Sequence, residues 1–124
     1  MKEFDEFFSL VQKSIKLDPW AKNKKTIGYC KEIINESNEL IEAIQKNDLA
    51  NIKEELGDIL YDWLHAIAYS KEEYNIEINE IINLAKNKLK HRKPYLLENK
   101  EVSLEESLRI WKEQKQKEKN QKKL

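Results

Sequence analysis

Strong helix interruptions are scarce in this chain, two prolines and two glycines in all, and that scarcity constrains its fold more than any other feature. Pro19 and Pro94 bracket a long central stretch in which only Gly28 and Gly57 occur. Within it, apolar residues recur at helical spacing among lysines, glutamates and leucines, which are good helix formers. Few valines and threonines are present to build a sheet. The pattern predicts an all-α fold, a helical bundle of about five helices. A single domain over residues 1–124 is expected, with its core at about 18–110 and a basic C-terminal tail at about 112–124.

Local signals place the elements. Phe4, Phe7, Phe8, Val11 and Ile15 predict a first helix over about 3–16. Asp18-Pro19-Trp20 stops it, because proline disfavours helix in the residue before it. Lys22, Lys24 and Lys25 then read as a basic linker. A second helix is expected over about 27–46, with Cys30, Ile33, Ile34, Leu40, Ile41 and Ile44 facing the core. Asn47-Asp48 makes a tight connection, with Asp48 as N-cap of a third helix over about 49–73. The core stripe of this helix would be Ile52, Leu56, Ile59, Leu60, Trp63 and Ile67. So short a link forces the second and third helices to lie antiparallel. A fourth helix, over about 77–93, carries Ile78, Ile81, Ile82, Ala85 and Leu89 until Pro94 ends it. Ser103-Leu-Glu-Glu106 reads as a capping box that opens a fifth, with Leu104, Leu108 and Trp111 on one side. From Lys112 onward six lysines stand against two glutamates, and a frayed tail is expected.

Charge narrows the partners. The 23 basic and 23 acidic residues cancel, so no global field selects nucleic acid or an anionic membrane, and no stable nucleic-acid binding is expected. No uncharged run approaches the ~18–20 residues that span a bilayer. Cys30 is the lone cysteine, which excludes an intrachain disulfide and fits a reducing compartment. The opening residues are charged where an export signal would be apolar. A cytoplasmic protein is expected. Thin helical hairpins bury limited surface, so oligomerisation is expected too.

The acidic residues carry the chemistry. On a helical wheel Glu36 and Glu39 fall about 60° apart, at the edge of the second helix's apolar face. Glu55 and Asp58 repeat this geometry on the third helix, with Asp62 between them. Antiparallel packing of the two stripes brings the pairs opposite each other. Carboxylates gathered at a partly buried seam repel unless a cation neutralises them. Hard oxygen donors, with no convergent sulfur or imidazole, select Mg²⁺ or Mn²⁺. The competing reading is a solvated acidic helix face, since acidic pairs three residues apart are common in a glutamate-rich chain. Gly57, within Glu54-Glu-Leu-Gly-Asp58, costs a helix roughly 1 kcal/mol against alanine and suggests close approach by a neighbouring helix or a ligand.

Glu36-Ser-Asn-Glu39, then fifteen residues, then Glu55-Leu-Gly-Asp58, resembles the ExxE…ExxD signature of MazG nucleotide pyrophosphohydrolases. The longer runs Asn35 to Ile44 and Glu54 to Leu60 are similar to that family's blocks, as are Asp18-Pro-Trp20, Lys88-Leu-Lys-His-Arg-Lys-Pro94 and Trp111 with its lysine-rich helix. The resemblance covers about residues 18–119. It implies an all-α homodimer or homotetramer in which Glu36, Glu39, Glu55 and Asp58 hold Mg²⁺. It also implies hydrolysis of a nucleoside triphosphate between the α- and β-phosphates, giving monophosphate and pyrophosphate. The chain departs from the family at Asn35, where many members have a leading glutamate. It also departs at Ala21, where an acidic residue is common, and at His91 and Lys93 in the basic block.

The chemistry suits these groups. Phosphoryl transfer needs charge neutralisation and an in-line water, and Glu36 is the first candidate to accept its proton. Asp62 is a further candidate ligand. Lys88 and Arg92, four residues apart, and Lys22 are candidates to bind phosphate. Three alternatives stay open. One is a non-catalytic helical interaction module. Another is a relative dedicated to one substrate such as dUTP, dCTP or phosphoribosyl-ATP. A di-iron bundle would need two ExxH motifs, and only Asp62-Trp-Leu-His65 approaches one. His65, with no partner histidine nearby, reads as packing or surface, and Trp20 as a cap on the core.

Overall fold

A computed structural model describes residues 1–122, which form five α-helices and one short 3₁₀ turn, with no strand among them. The helices are α1 (Lys2–Leu17), α2 (Pro19–Gln45), α3 (Leu49–Tyr74), α4 (Ile78–Arg92) and α5 (Leu104–Lys122). Met1–Ile78 forms one compact unit and Asn79–Leu124 a second. Among the described residues no helix is long and apolar enough to cross a membrane.

Sequence-local chemistry explains the ends. Asp18 accepts the Trp20 N–H at 3.0 Å, and Pro19 follows at the first helical position, where its missing N–H costs nothing. The expected basic linker is therefore absent: Lys22, Lys24 and Lys25 already lie in α2. The break comes later, at Lys25, whose φ of 59° and ψ of −173° interrupt the helix. The Thr26 N–H just beyond it is taken by Glu73 Oε1 at 2.8 Å, from the far end of α3. Asp48 caps α3 through the Asn51 N–H at 3.3 Å. Asn75 ends that helix in the left-handed conformation, φ 56°.

The first unit has its core on one half of the α2–α3 hairpin. Val11 and Ile15 of α1 pack with Ala21 and Tyr29 of α2 and with Leu64, Ala66 and Ala68 of α3. His65, 1% exposed, pins α1 to α3. Its Nδ1–H donates to the Tyr61 carbonyl at 2.7 Å, which leaves Nε2 to accept the Ser14 hydroxyl at 3.0 Å. The Tyr29 and Tyr61 rings lie against the imidazole, centroids 4.9 and 4.2 Å away. His65 is thus a packing residue, as its sequence context suggested.

The expected core stripes are largely outside. On α2, Cys30, Ile34, Ile41 and Ile44 are exposed, and Ile33 and Leu40 half-buried. On α3, Leu56, Leu60 and Trp63 are exposed while Ile67 is buried. Both helices have two candidate inward faces, and α1 docks on the one bearing small residues and His65. Trp20, 71% exposed, caps nothing. A Cβ at Gly57 would meet nothing within 4 Å, so no neighbouring helix explains that glycine.

Among the described residues of the second unit none is buried: Ile81 is half-buried, and Ile82, Ala85 and Leu89 are exposed. Ser103 accepts the Glu106 N–H at 3.1 Å, as a cap should. The lysine-rich tail does not fray at Lys112. It continues as helix to Lys122, helped by its helix-forming composition and by an anchor: Glu118 accepts from Arg92 at 3.1 Å, and Arg92 lies 4.7 Å from the Trp111 ring centroid. The final tail residues, Lys123 and Leu124, lie outside the described residues.

Lys25 occupies a backbone region that is essentially glycine's, a strain of about 1–3 kcal/mol. Lys25→Gly removes it at a backbone-entropy cost of about 0.5–1 kcal/mol. Thermal unfolding should therefore show the variant melting a few degrees higher than the parent.

Candidate functional site

The two middle helices run antiparallel, and their carboxylates show it. Glu36 of α2 lies against Asp62 of α3, close enough for the two carboxyls to share a proton, and Glu39 lies against Glu55 in the same way. As numbers rise on one helix they fall on the other. Asp58 acts on both Glu36 and Glu55 as a further nearby charge. All four carboxylates expected from the sequence therefore lie on one seam. Asp62, expected only as an addition, is the direct partner of Glu36.

These groups turn inward. Asp62 is 3% and Glu55 7% exposed, Glu36 and Asp58 are half-buried, and Glu39 is exposed at the seam's edge. Ionised, Glu36 Oε2, Glu55 Oε2 and Asp62 Oδ2 are buried with no donor to accept from. Carboxylate oxygens cannot satisfy one another, so the seam closes only around a shared proton or a cation. Burial, then the bond to Asp62, then the charges of Asp62, Asp58 and Glu32 push Glu36 up to about 8. Burial and then Glu39 also raise Glu55.

Among the described residues no group of three or more such side chains stands ready-made to hold an ion. They pair across the seam instead. The donor set still fits a hard divalent cation: all oxygen, anionic, partly buried, with lone pairs left over. Glu36, Glu39, Glu55 and Asp58 would hold it, with Asp62 beside them.

The basic candidates are dispersed. Lys22 is exposed on the first turns of α2. Lys88 and Arg92 belong to the second unit, where Lys88 is exposed and Arg92 is engaged by Glu118 and Trp111. Sequence reasoning passed over Tyr29, 2% exposed behind the seam, whose hydroxyl is pushed up to about 12 by burial and by Tyr61, Asp18 and Asp62. A signal for it existed: Tyr29 stands seven residues before Glu36, two turns along the same face.

An all-helical fold with a carboxylate-lined helix hairpin in its first unit is the class these observations define. Residues 24–97 match the MazG nucleotide pyrophosphohydrolase domain family. The chain belongs to that family. It is 31% identical over 103 residues to a nucleoside triphosphate pyrophosphohydrolase of Mycolicibacterium smegmatis, covering 82% of this chain and 32% of the relative. An Escherichia coli protein of the same name is 25% identical, covering 98% of this chain and 48% of its own length. The chain thus spans from about a third to about a half of the length of these relatives. A solved structure described as a MazG-related protein from Thermotoga maritima superposes with a TM-score of 0.85 at 35% identity, covering 90% of this chain and 98% of that one.

Glu36 is raised above its unfolded value, so the folded protein holds the extra proton between the ordinary carboxylate range and about pH 8. Its contribution to stability is full below that window and lost as pH rises through it. Metal-free protein should melt progressively lower from about pH 5 to pH 8, and Glu36→Gln should flatten that slope. Mg²⁺ or Mn²⁺ binding at pH 7 should release protons, read by calorimetry in buffers of different ionisation enthalpy. A flat stability profile with no proton release would contradict the seam described here.

Proposed function

We propose that this chain is a Mg²⁺-dependent nucleoside triphosphate pyrophosphohydrolase, converting a ribo- or deoxynucleoside triphosphate and water to monophosphate and pyrophosphate. The observation that carries the reading is the inward-facing carboxylate seam with its orphaned oxygens. A structure spends stability to bury such groups, and the expenditure makes sense where a cation is to be bound.

A divalent cation held by Glu36, Glu39, Glu55 and Asp58 supplies positive charge to phosphate oxygens and acidifies a water; Mn²⁺ would serve as Mg²⁺ does. The chain's own groups do the rest. Glu36 is suited to accept a proton once a bound cation has displaced the one its raised affinity retains in the metal-free chain. Asp62, buried against it, is placed to orient it. The buried rings of Tyr29 and His65 pack together beside Tyr61, next to Asp62 in the chain. Lys22 is proposed as a phosphate contact, and Lys88 and Arg92 keep that proposed role from the sequence argument. A cytoplasmic setting suits nucleotide substrates and the exposed free thiol of Cys30.

The reading extends to assembly. Ile34, Ile41 and Ile44 of α2 and Leu56, Leu60 and Trp63 of α3 are between 41% and 63% exposed. Such a face on a small domain calls for a partner, and a second copy of the chain is the proposed one, in a homodimer or homotetramer.

A pyrophosphate-release panel of ribo- and deoxynucleoside triphosphates, run with Mg²⁺ and then with EDTA, tests the activity and resolves base and sugar preference. Glu39→Ala, Glu55→Ala and Asp58→Ala should each reduce turnover to background with helicity by circular dichroism unchanged. Wild-type turnover in all three would refute the assignment. Leu60→Glu with Trp63→Glu should convert the assembly to monomers in sedimentation analysis; an unchanged mass would mean that the face serves something else.

A further inference from the structure

The break in α2 has a consequence for the site. Lys24 is the last residue before the strained Lys25, and its side chain runs along the helix toward the carboxylates rather than into solvent. Its Nζ lies 5.4 Å from the centroid of the Tyr29 ring and 3.9 Å from Glu32 Oε1. Glu32 in turn stands one helical turn before Glu36 and is among the charges acting on it. The ammonium therefore sits at the end of the acidic row, in a series that continues through Glu32 and Glu36 to Asp62.

Gly28 keeps this path open. A Cβ there would lie 2.8 Å from Lys24 Cβ and 3.3 Å from its Cγ. Those are the atoms nearest the backbone, so any side chain at position 28 displaces Lys24 itself and not merely the tip of a flexible chain. On the other side, the bond from the Thr26 N–H to Glu73 at 2.8 Å fixes the backbone just past the kink. Kink, gap and capping bond converge on one outcome, the placement of one cation.

The present partner of that cation is weak. The contact with Glu32 is long, and both side chains are about a third or more exposed (31% and 42%), a geometry worth little in water. A phosphate group, with several anionic oxygens, makes stronger charge-assisted bonds to an ammonium than this carboxylate does. We propose that Lys24 is a substrate-contact residue, binding an oxygen of the polyphosphate tail, and that Gly28 and the Lys25 kink are there to position it. The proposal rests on the reading of the seam as a phosphohydrolase site. It adds a residue that the sequence reading had assigned to a linker.

The test uses Lys24→Met, Lys24→Arg, Gly28→Ala and the Lys24→Met/Gly28→Ala double variant in the full chain. Each is measured for KM and kcat on the best triphosphate and for calorimetric binding of inorganic tripolyphosphate. Loss of one charge-assisted contact should raise KM and the tripolyphosphate Kd about tenfold or more, with kcat nearly unchanged. Lys24→Arg should restore most of the affinity. Gly28→Ala should imitate Lys24→Met although the lysine is present, and the double variant should be no worse than Lys24→Met alone. Unchanged KM and Kd in Lys24→Met would overturn the contact, and effects that multiply in the double variant would overturn the role of Gly28. If Gly28→Ala fails to fold, the Met and Arg variants still decide the contact. Wild-type protein that binds tripolyphosphate but hydrolyses no triphosphate would sink the activity alone, since the Lys24 comparison is then read from binding.

Discussion

Carboxylate set against carboxylate across the α2–α3 seam is the interaction on which the rest of the first unit depends. Glu36 faces Asp62 and Glu39 faces Glu55, with Asp58 close by. Two ionised groups in such a position repel, and burial removes the water that would screen them. The seam can exist only with a proton or a cation between its walls. The upward shift of Glu36 follows from that condition together with burial.

Helix α3 divides its labour along its length to meet it. Its second half carries Leu64, Ala66 and Ala68 into the apolar cluster with α1, and His65 ties the two helices together through Ser14. Its first half carries Glu55 and Asp58. Burial of apolar surface in the one half offsets repulsion in the other, and Asp62 stands next to the changeover. Tyr61 bridges the two functions: its carbonyl fixes the His65 tautomer and its ring covers the imidazole, one residue before the most buried carboxylate.

The hairpin and its caps were legible because they depend on neighbours in sequence. Asp48 and Asp18 cap through N–H groups two or three residues away, and the link between α2 and α3 is too short for any but an antiparallel return. The four motif carboxylates were legible for a similar reason, since helical periodicity alone puts each pair on one face. Periodicity does not say which face points inward. Leu56, Leu60 and Trp63 form as convincing a stripe as any buried one, and only the docking of α1 decides against it. The Lys25 break was hidden because neither glycine nor proline marks it, and the Glu73 side chain that holds it comes from 47 residues away. Lys24 was read as linker for the same reason.

The outward apolar stripe and the inward acidic seam belong to the same two helices, and this links assembly to chemistry. A rotation of α3 about its axis would exchange the faces, sending leucines in and carboxylates out to water. Judged by transfer energies alone, that exchange is favourable, because it hydrates charge and buries hydrocarbon at about 25 cal/mol per Å². Helix α1 resists it by holding Ser14 to His65. A second copy seated on Ile41, Leu56, Leu60 and Trp63 would resist it as well, by giving the stripe a dry surface without turning it inward. Association of this kind would stabilise the one rotational setting in which Glu36, Glu39, Glu55, Asp58 and Asp62 share a seam. The exposed leucines would then be part of the means by which the seam holds its charge.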